Sequence, residues 1–148
     1  MAENKYKNKK VVRHGLNFDS KEELEYYELL LELQRQGIVK SFKRQVKFVL
    51  QPSFLFGGRR YLAITYTVDF VVTYSTGNVV AIDVKGMSTQ QGEMRRKMFV
   101  YHNQGLPLVW VAKSKKYGDK YGWIDYDELR KKRREAKKEK AAKGSAGI

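Results

Sequence analysis

The sequence predicts an α/β domain in which a mixed sheet carries helices, with its elements in the order α-β-β-β-α-β. Three observations carry the prediction. A helical run with its own start and stop signals precedes the first strand. Three strand-like runs follow, the last two separated by a tight-turn signal. A second helical run then leads into a fourth apolar run, which completes the alternation of an α/β core.

In the first helical stretch, FDSKEELEYYELLLELQRQG, Ser20 is a natural N-cap. Glu23 stands three residues on, the spacing of a capping box, and Gly37 supplies the stop. In FKRQVKFVLQP the alternation places Phe42, Val46, Phe48 and Leu50 on one face and Lys43, Gln45 and Lys47 on the other, in a half-buried strand ending at Pro52. SFLFGGRR reads as a turn around Gly57 and Gly58. YLAITYTVDFVVTY is a longer strand, with Leu62, Ile64, Tyr66, Val68, Phe70 and Val72 expected on one face and Ala63, Thr65, Thr67, Asp69 and Val71 on the other. STGN is a turn, and VVAIDVK returns as the antiparallel partner. MRRKMFVYHNQG is a helix ended by Gly105, LPLVWVA is the fourth strand, and WIDYDELRKKRREAKKEK passes from a short extended segment into a basic helix.

The chain of 148 residues suits one domain, and 42% hydrophobic against 31% charged residues is a globular composition with polar extensions. No cysteine is present, which excludes disulfides, thiolate zinc sites and cysteine nucleophiles. No apolar run approaches the ~20 residues of a membrane span, and MAENKYKNKK lacks the apolar segment of a secretion signal. A soluble cytoplasmic protein is therefore expected, without a membrane partner. The net charge of +14 is concentrated at the ends. Residues 1–14 hold five Lys or Arg against one Glu, and residues 129–148 hold nine against two, which leaves +3 for residues 15–128. The organisation predicted is a disordered basic arm (1–14), a core (15–128) and a basic C-terminal helix or tail (129–148). Such tails suit a polyanion, with nucleic acid first.

Within the strand-like AIDVKG, Asp83 and Lys85 lie two residues apart and so share a face. Asp69 lies mid-strand on the preceding run, and the hairpin can bring it close to Asp83. Two nearby carboxylates repel in a low dielectric, and a shared divalent cation removes that cost; Mg²⁺ takes carboxylate oxygens. For either Asp alone, pairing with Lys85 or a backbone donor is the alternative. On a helical wheel Tyr27, Leu30 and Leu31 fall within about 80° of Glu23, while Glu25 lies about 160° away. Glu23 is therefore the acid expected to face the sheet and Glu25 the one expected to face water. Glu23 is equally the residue that a capping box requires, so a purely structural role stands beside the functional one.

The set Glu23, Asp69 and Asp83-Val84-Lys85 resembles the PD-(D/E)XK nuclease superfamily, in which a helix carrying Glu precedes a hairpin carrying Asp and then Asp-x-Lys. The Pro of that name is absent here, since Val68 precedes Asp69. More narrowly, FDSKEELEYYELL, RQVKFVLQP, VDFVV, AIDVKG and MRRKMF are similar to segments of small phage-type endonucleases related to Holliday-junction resolvases. The resemblance spans residues 16–112 and implies a restriction-endonuclease-like core that hydrolyses phosphodiester bonds in DNA. It implies that Asp69 and Asp83 ligate Mg²⁺ or Mn²⁺, with the Val84 carbonyl as a further ligand and Glu23 joining directly or through water. Lys85 would orient the attacking water. Arg95 and Lys97 become candidate phosphate contacts, and Lys131, Lys132, Arg133 and Arg134 of the basic tail join them as DNA-binding candidates. Branched DNA is the leading substrate, and two symmetric cuts would call for a homodimer, working in the cytoplasm of a phage-infected or prophage-carrying bacterium. The alternatives are a nicking or repair nuclease on ordinary duplex, and a non-catalytic nucleic-acid-binding module whose acids are structural.

Overall fold

The computed structural model describes residues 10–146. The elements run β1 (Val11–Arg13), β2 (Leu16–Phe18), α1 (Lys21–Arg35), β3 (Val39–Gln51), β4 (Phe54–Phe56), β5 (Arg59–Tyr61), β6 (Ile64–Tyr74), β7 (Val79–Val84), α2 (Gln90–His102), β8 (Leu108–Lys113), β9 (Trp123–Asp125) and α3 (Tyr126–Ala146). Five strands form one mixed sheet in the order β3-β6-β7-β8-β9, in which β7 and β8 are parallel and the other neighbours antiparallel. The predicted class and the order of the principal elements are observed, with β9 and two small hairpin sheets, β1-β2 and β4-β5, added.

Local signals account for the element boundaries. The Ser20 hydroxyl accepts from the Glu23 N–H at 3.1 Å at the start of α1, and Gly37 beyond its end adopts φ 81. Gly77 (φ 96) closes the β6-β7 turn, where the Tyr74 N–H donates to the Asn78 carbonyl. The parallel pair β7-β8 needs a long crossover, and α2 supplies it. The α2 N-cap is Thr89, whose hydroxyl accepts from Gly92 N–H at 3.0 Å.

Helices cover both faces of the sheet. Tyr26 and Leu30 of α1 pack on Val39, Phe70, Val72, Ile82 and Val111. Phe99 of α2 packs with Leu50, Tyr66, Val68 and Ala81, while Tyr126 and Leu129 of α3 pack with Trp110 and Ala112. Adjacent residues of a strand point to opposite faces. The division of Ala81 from Ile82, and of Trp110 from Val111, therefore sets α1 on one face and α2 with α3 on the other.

The expected single apolar faces of residues 42–50 and 62–72 do not hold. Phe42 and Phe70 pack on the α1 side, whereas Phe48, Leu50, Tyr66 and Val68 pack on the α2 side. The change falls at Gln45 and Asp69, which stand opposite each other between the pairs Arg44↔Phe70 and Val46↔Val68. Gln45 has φ 50, a left-handed conformation that breaks the pleat and re-aims the side chains that follow. Periodicity across this point was therefore misleading.

Two boundaries also move. Of the basic arm predicted over residues 1–14, residues 1–9 lie outside the described residues, but Val11–Arg13 is a strand paired with Leu16–Phe18. His14 (φ 56) and Gly15 (φ 70) form the two-residue turn of a type I′ hairpin, and the buried Phe18 anchors it. At the other end, residue 129 is not the start of a free tail, because Leu129 is 2% exposed in the core beneath α3. No described helix is long and apolar enough to cross a membrane. Leu129→Ala should lower stability by ~2–4 kcal/mol, within the range for truncating a buried leucine. Ending the chain after the exposed Glu135 should cost less than ~1 kcal/mol. Thermal and denaturant unfolding of the two variants checks this.

Candidate active site

The pairing of β6 with β7 runs from Thr73↔Val79 to Phe70↔Ile82, so Asp69 and Asp83 are the next opposed positions. Here the strands part: β7 continues along β8 through Val84, while β6 continues along β3. Parting leaves backbone N–H groups without ladder partners, and the two aspartates supply them. The Asp69 N–H donates to Asp83 Oδ1 at 2.8 Å, and the Val84 N–H donates to Asp69 Oδ2 at 2.9 Å. The second oxygen of Asp83, a residue 2% exposed, accepts from the Tyr66 hydroxyl, which in turn accepts from Trp110 Nε1 at 2.9 Å. Lys85 Nζ stands 3.6 Å from Asp83 Oδ2 and 4.9 Å from the centre of the Trp110 ring.

Glu23 approaches from α1. It is 2% exposed, as the wheel predicts, and its two oxygens accept from the Asp19 N–H at 2.9 Å and from Gln45 Nε2 at 2.7 Å. The capping box is thus displaced by one residue, to Asp19 instead of the N-cap Ser20. The Gln45 amide also donates to Asp69 Oδ1 at 3.2 Å, so it ties Glu23 to Asp69. Arg44 Nη2 stands 3.7 Å from Glu23 and donates to the Asn17 carbonyl, with its guanidinium 4.2 Å above the Phe18 ring. Glu25 is only partly exposed, not fully turned to water, and pairs with Lys113 and Lys21.

A hydrogen-bonded chain therefore runs from Glu23 through Gln45 and Asp69 to Asp83, and Lys85 joins its end as an ion pair with Asp83. The carboxylates whose oxygens lie within 4.8 Å of one another are Asp19, Glu23 and Asp69, with Asp83 adjacent through the Asp69 backbone. This donor set consists of hard oxygens and fits Mg²⁺ or Mn²⁺. Burial, together with the charges of Asp83 and Glu23, pushes Asp69 up to about 7, and burial likewise raises Glu23.

A basic pocket lies on the α2 side of the clasp, lined by Thr65, Tyr66, Thr67, Asp83, Lys85, Gly92 and Arg95. Among the described residues the buried Nε of Arg95 has no hydrogen-bond partner. Its neighbour Arg96 is committed elsewhere, to Glu93, Asp127 and the face of Trp110. Lys97, Lys131, Lys132, Arg133 and Arg134 are exposed and lie outside this pocket. Asp19, Gln45 and Tyr66 were not singled out from the sequence. Asp19 carried one signal, its position immediately before an N-cap; Tyr66 reads as a core residue, and nothing in the sequence marks the left-handed turn of Gln45.

Because the folded pKa of Asp69 lies above its unfolded value near 3.8, its contribution to stability is full at acidic pH and is lost as pH rises through about 7. A cation needs the ionised acids. The rise in Tm on adding Mn²⁺ should therefore be larger at pH 8 than at pH 6, and Asp69→Asn should abolish that difference while stabilising the metal-free protein at pH 8. Calorimetry in both buffers measures this.

The two glutamates of α1 should behave differently. Glu23→Gln keeps an acceptor for Asp19 or Gln45 and relieves repulsion, so it should change stability by less than ~1 kcal/mol while removing most of the Mn²⁺-induced shift. Glu25→Gln loses a partly exposed ion pair, again less than ~1 kcal/mol, and should leave the shift intact. Equal Mn²⁺ shifts in the two variants would reduce Glu23 to a helix cap.

Comparison with curated proteins and with solved structures found no match. Residues 3–119, which carry every member of the acidic cluster and the pocket, match the family model described as "Protein of unknown function (DUF1064)". The chain belongs to that family.

Proposed function

We propose that this protein is a Mg²⁺- or Mn²⁺-dependent DNA endonuclease with a PD-(D/E)XK-like core, and that branched DNA of the Holliday-junction type is its leading substrate. The observation that supports the reading most is the convergence of Glu23, Asp69, Asp83 and Lys85, from one helix and two strands, on the point where β6 and β7 part. A structural ion pair would need only Asp83 and Lys85, and the backbone bonds that Asp69 and Glu23 accept do not require Gln45 to bridge these two carboxylates against their mutual repulsion.

In this reading Asp69, Asp83 and the Val84 carbonyl hold the ion, with Glu23 joining directly or through water and Asp19 within reach of the same group. Such an ion supplies Lewis-acid stabilisation of charge on the phosphate and lowers the pKa of water. Tyr66, by donating to Asp83, keeps that carboxylate oriented. Lys85, part-exposed on the pocket wall, orients the attacking water and offsets charge near the scissile phosphate. Arg95, on the wall of the same pocket, offers guanidinium donors to phosphate oxygens. Lys97 and the Lys131–Arg134 run add sequence-independent attraction to the backbone. A homodimer would present two such sites to the two strands of a junction. The place of action proposed is the bacterial cytoplasm during phage infection or in a prophage carrier.

The test is incubation of the protein with labelled four-way junction, duplex and single-stranded DNA, in Mg²⁺ and in EDTA. Junction cleavage in Mg²⁺ alone is expected. Asp83→Asn should cut slower by a factor on the order of 10²–10³ while binding DNA as well or better. Wild-type cleavage by Asp83→Asn, or no metal-dependent cleavage of any substrate, would overturn the assignment.

A further inference from the structure

Beyond the clasp, β3 and β6 run on as a two-stranded ribbon, and at its end stands the hairpin β4-β5. Neither strand of this hairpin joins the main sheet, and all six of its strand residues are exposed. The pairing Phe54↔Tyr61 and Phe56↔Arg59 places these four side chains on one face, with Leu55 and Arg60 on the other. Phe54 and Tyr61 stack with centroids 4.9 Å apart and planes 8° from parallel, and the Arg59 guanidinium lies 5.1 Å from the centre of the Tyr61 ring. Phe56 is 75% exposed beside the Gly57-Gly58 turn (φ 58 and 76), where an added Cβ would meet nothing within 4 Å. An exposed aromatic face of this kind implies a partner.

Charge identifies the partner. No acidic residue occurs between Glu32 and Asp69, while seven Lys or Arg do, including Arg59 beside the Tyr61 ring and Arg60 on the other face of the hairpin. A second copy seated on this face would bring arginines against arginines with no acid to pair them. A polyanion with flat apolar surfaces matches both features, since arginines take phosphates and aromatic rings take bases. Bases within an intact duplex are already stacked on each other, so rings presented at a slim tip suit bases that are unpaired. Ile64, where β6 begins beside this hairpin, is about 17 Å along the strand from Asp69 at ~3.3 Å per residue, so one DNA molecule can reach both.

We infer that the β4-β5 hairpin is a nucleic-acid-binding arm whose Phe54–Phe56–Tyr61 face stacks on unpaired bases of DNA, while Arg59 on the same face holds an adjoining phosphate. This rests on the endonuclease reading for its choice of DNA, but not on catalysis.

The test uses the full chain with Ca²⁺ in place of Mg²⁺ and measures binding to a paired duplex and to the same duplex carrying an unpaired bulge with a fluorescent base analogue. Phe54→Ala/Phe56→Ala should weaken bulge binding about tenfold or more, with less than about a twofold change for duplex, and should abolish the analogue's fluorescence change. Phe56→Trp should keep the preference. Arg59→Ala should weaken both substrates and lower the salt slope by about 1. Equal loss on both substrates, no loss on either, or conversion of a dimer to a monomer by the phenylalanine variants would overturn the proposal. Cleavage is scored separately. Hairpin variants that bind and cut like wild type overturn the arm and leave the nuclease standing. A bulge preference lost in Phe54→Ala/Phe56→Ala, in a protein that cuts nothing, overturns the nuclease and leaves the arm.

Discussion

Two aspartates hold this sheet together at the place where it divides. A strand that leaves its neighbour exposes N–H groups that must find acceptors, and an unpaired buried N–H costs as much as a lost hydrogen bond. Asp69 and Asp83 each accept from the backbone of the opposite strand, so β6 can turn away toward β3 while β7 stays paired with β8. The change of face at Gln45 and Asp69 belongs to the same event. Once β6 departs, Tyr66 and Val68 pack under α2, whereas Phe70 and Val72 remain under α1. The ribbon that carries the exposed hairpin begins at this clasp.

That arrangement concentrates negative charge where it is poorly solvated. Hydrogen bonds from Tyr66 and Gln45 and the nearby ammonium of Lys85 offset part of the cost, yet Asp69 is still pushed up to about 7. Stability alone does not favour such a site, since apolar residues would close the strands at lower electrostatic cost. Perturbed acids gathered at one point are a pattern found at functional sites, and the oxygen donors here suit a hard cation. The proposed endonuclease reading uses the same residues for both tasks: the carboxylates that terminate the ladder are those that would hold the ion.

The basic residues divide by what they touch. Arg44 and Arg96 are locked against aromatic rings and carboxylates and belong to the scaffold. Lys85 and Arg95 line a pocket with capacity for an anion, and Arg59 and Arg60 stand exposed at the far end of the ribbon.

The helices, the antiparallel β6-β7 hairpin and the identities of Glu23, Asp69, Asp83 and Lys85 were legible in the sequence, because each rests on a local rule. Ser20 and Glu23 mark a helix start, helical periodicity turns Glu23 inward, and the two-residue strand repeat puts Asp83 and Lys85 on one face. What depended on partners distant in the chain was not legible. The pleat reverses at Gln45 because that residue takes a left-handed conformation opposite Asp69, and no feature of its side chain announces it. Tyr66 reads as one more apolar strand position until Trp110 and Asp83 are brought to its hydroxyl from 44 and 17 residues away. Leu129 looks like the edge of a basic tail until Trp110 and Ala112 are packed beneath it. Local sequence determined which groups could do chemistry; only the tertiary structure decided which of them meet, because that is set by where two strands part and what must then satisfy their backbone.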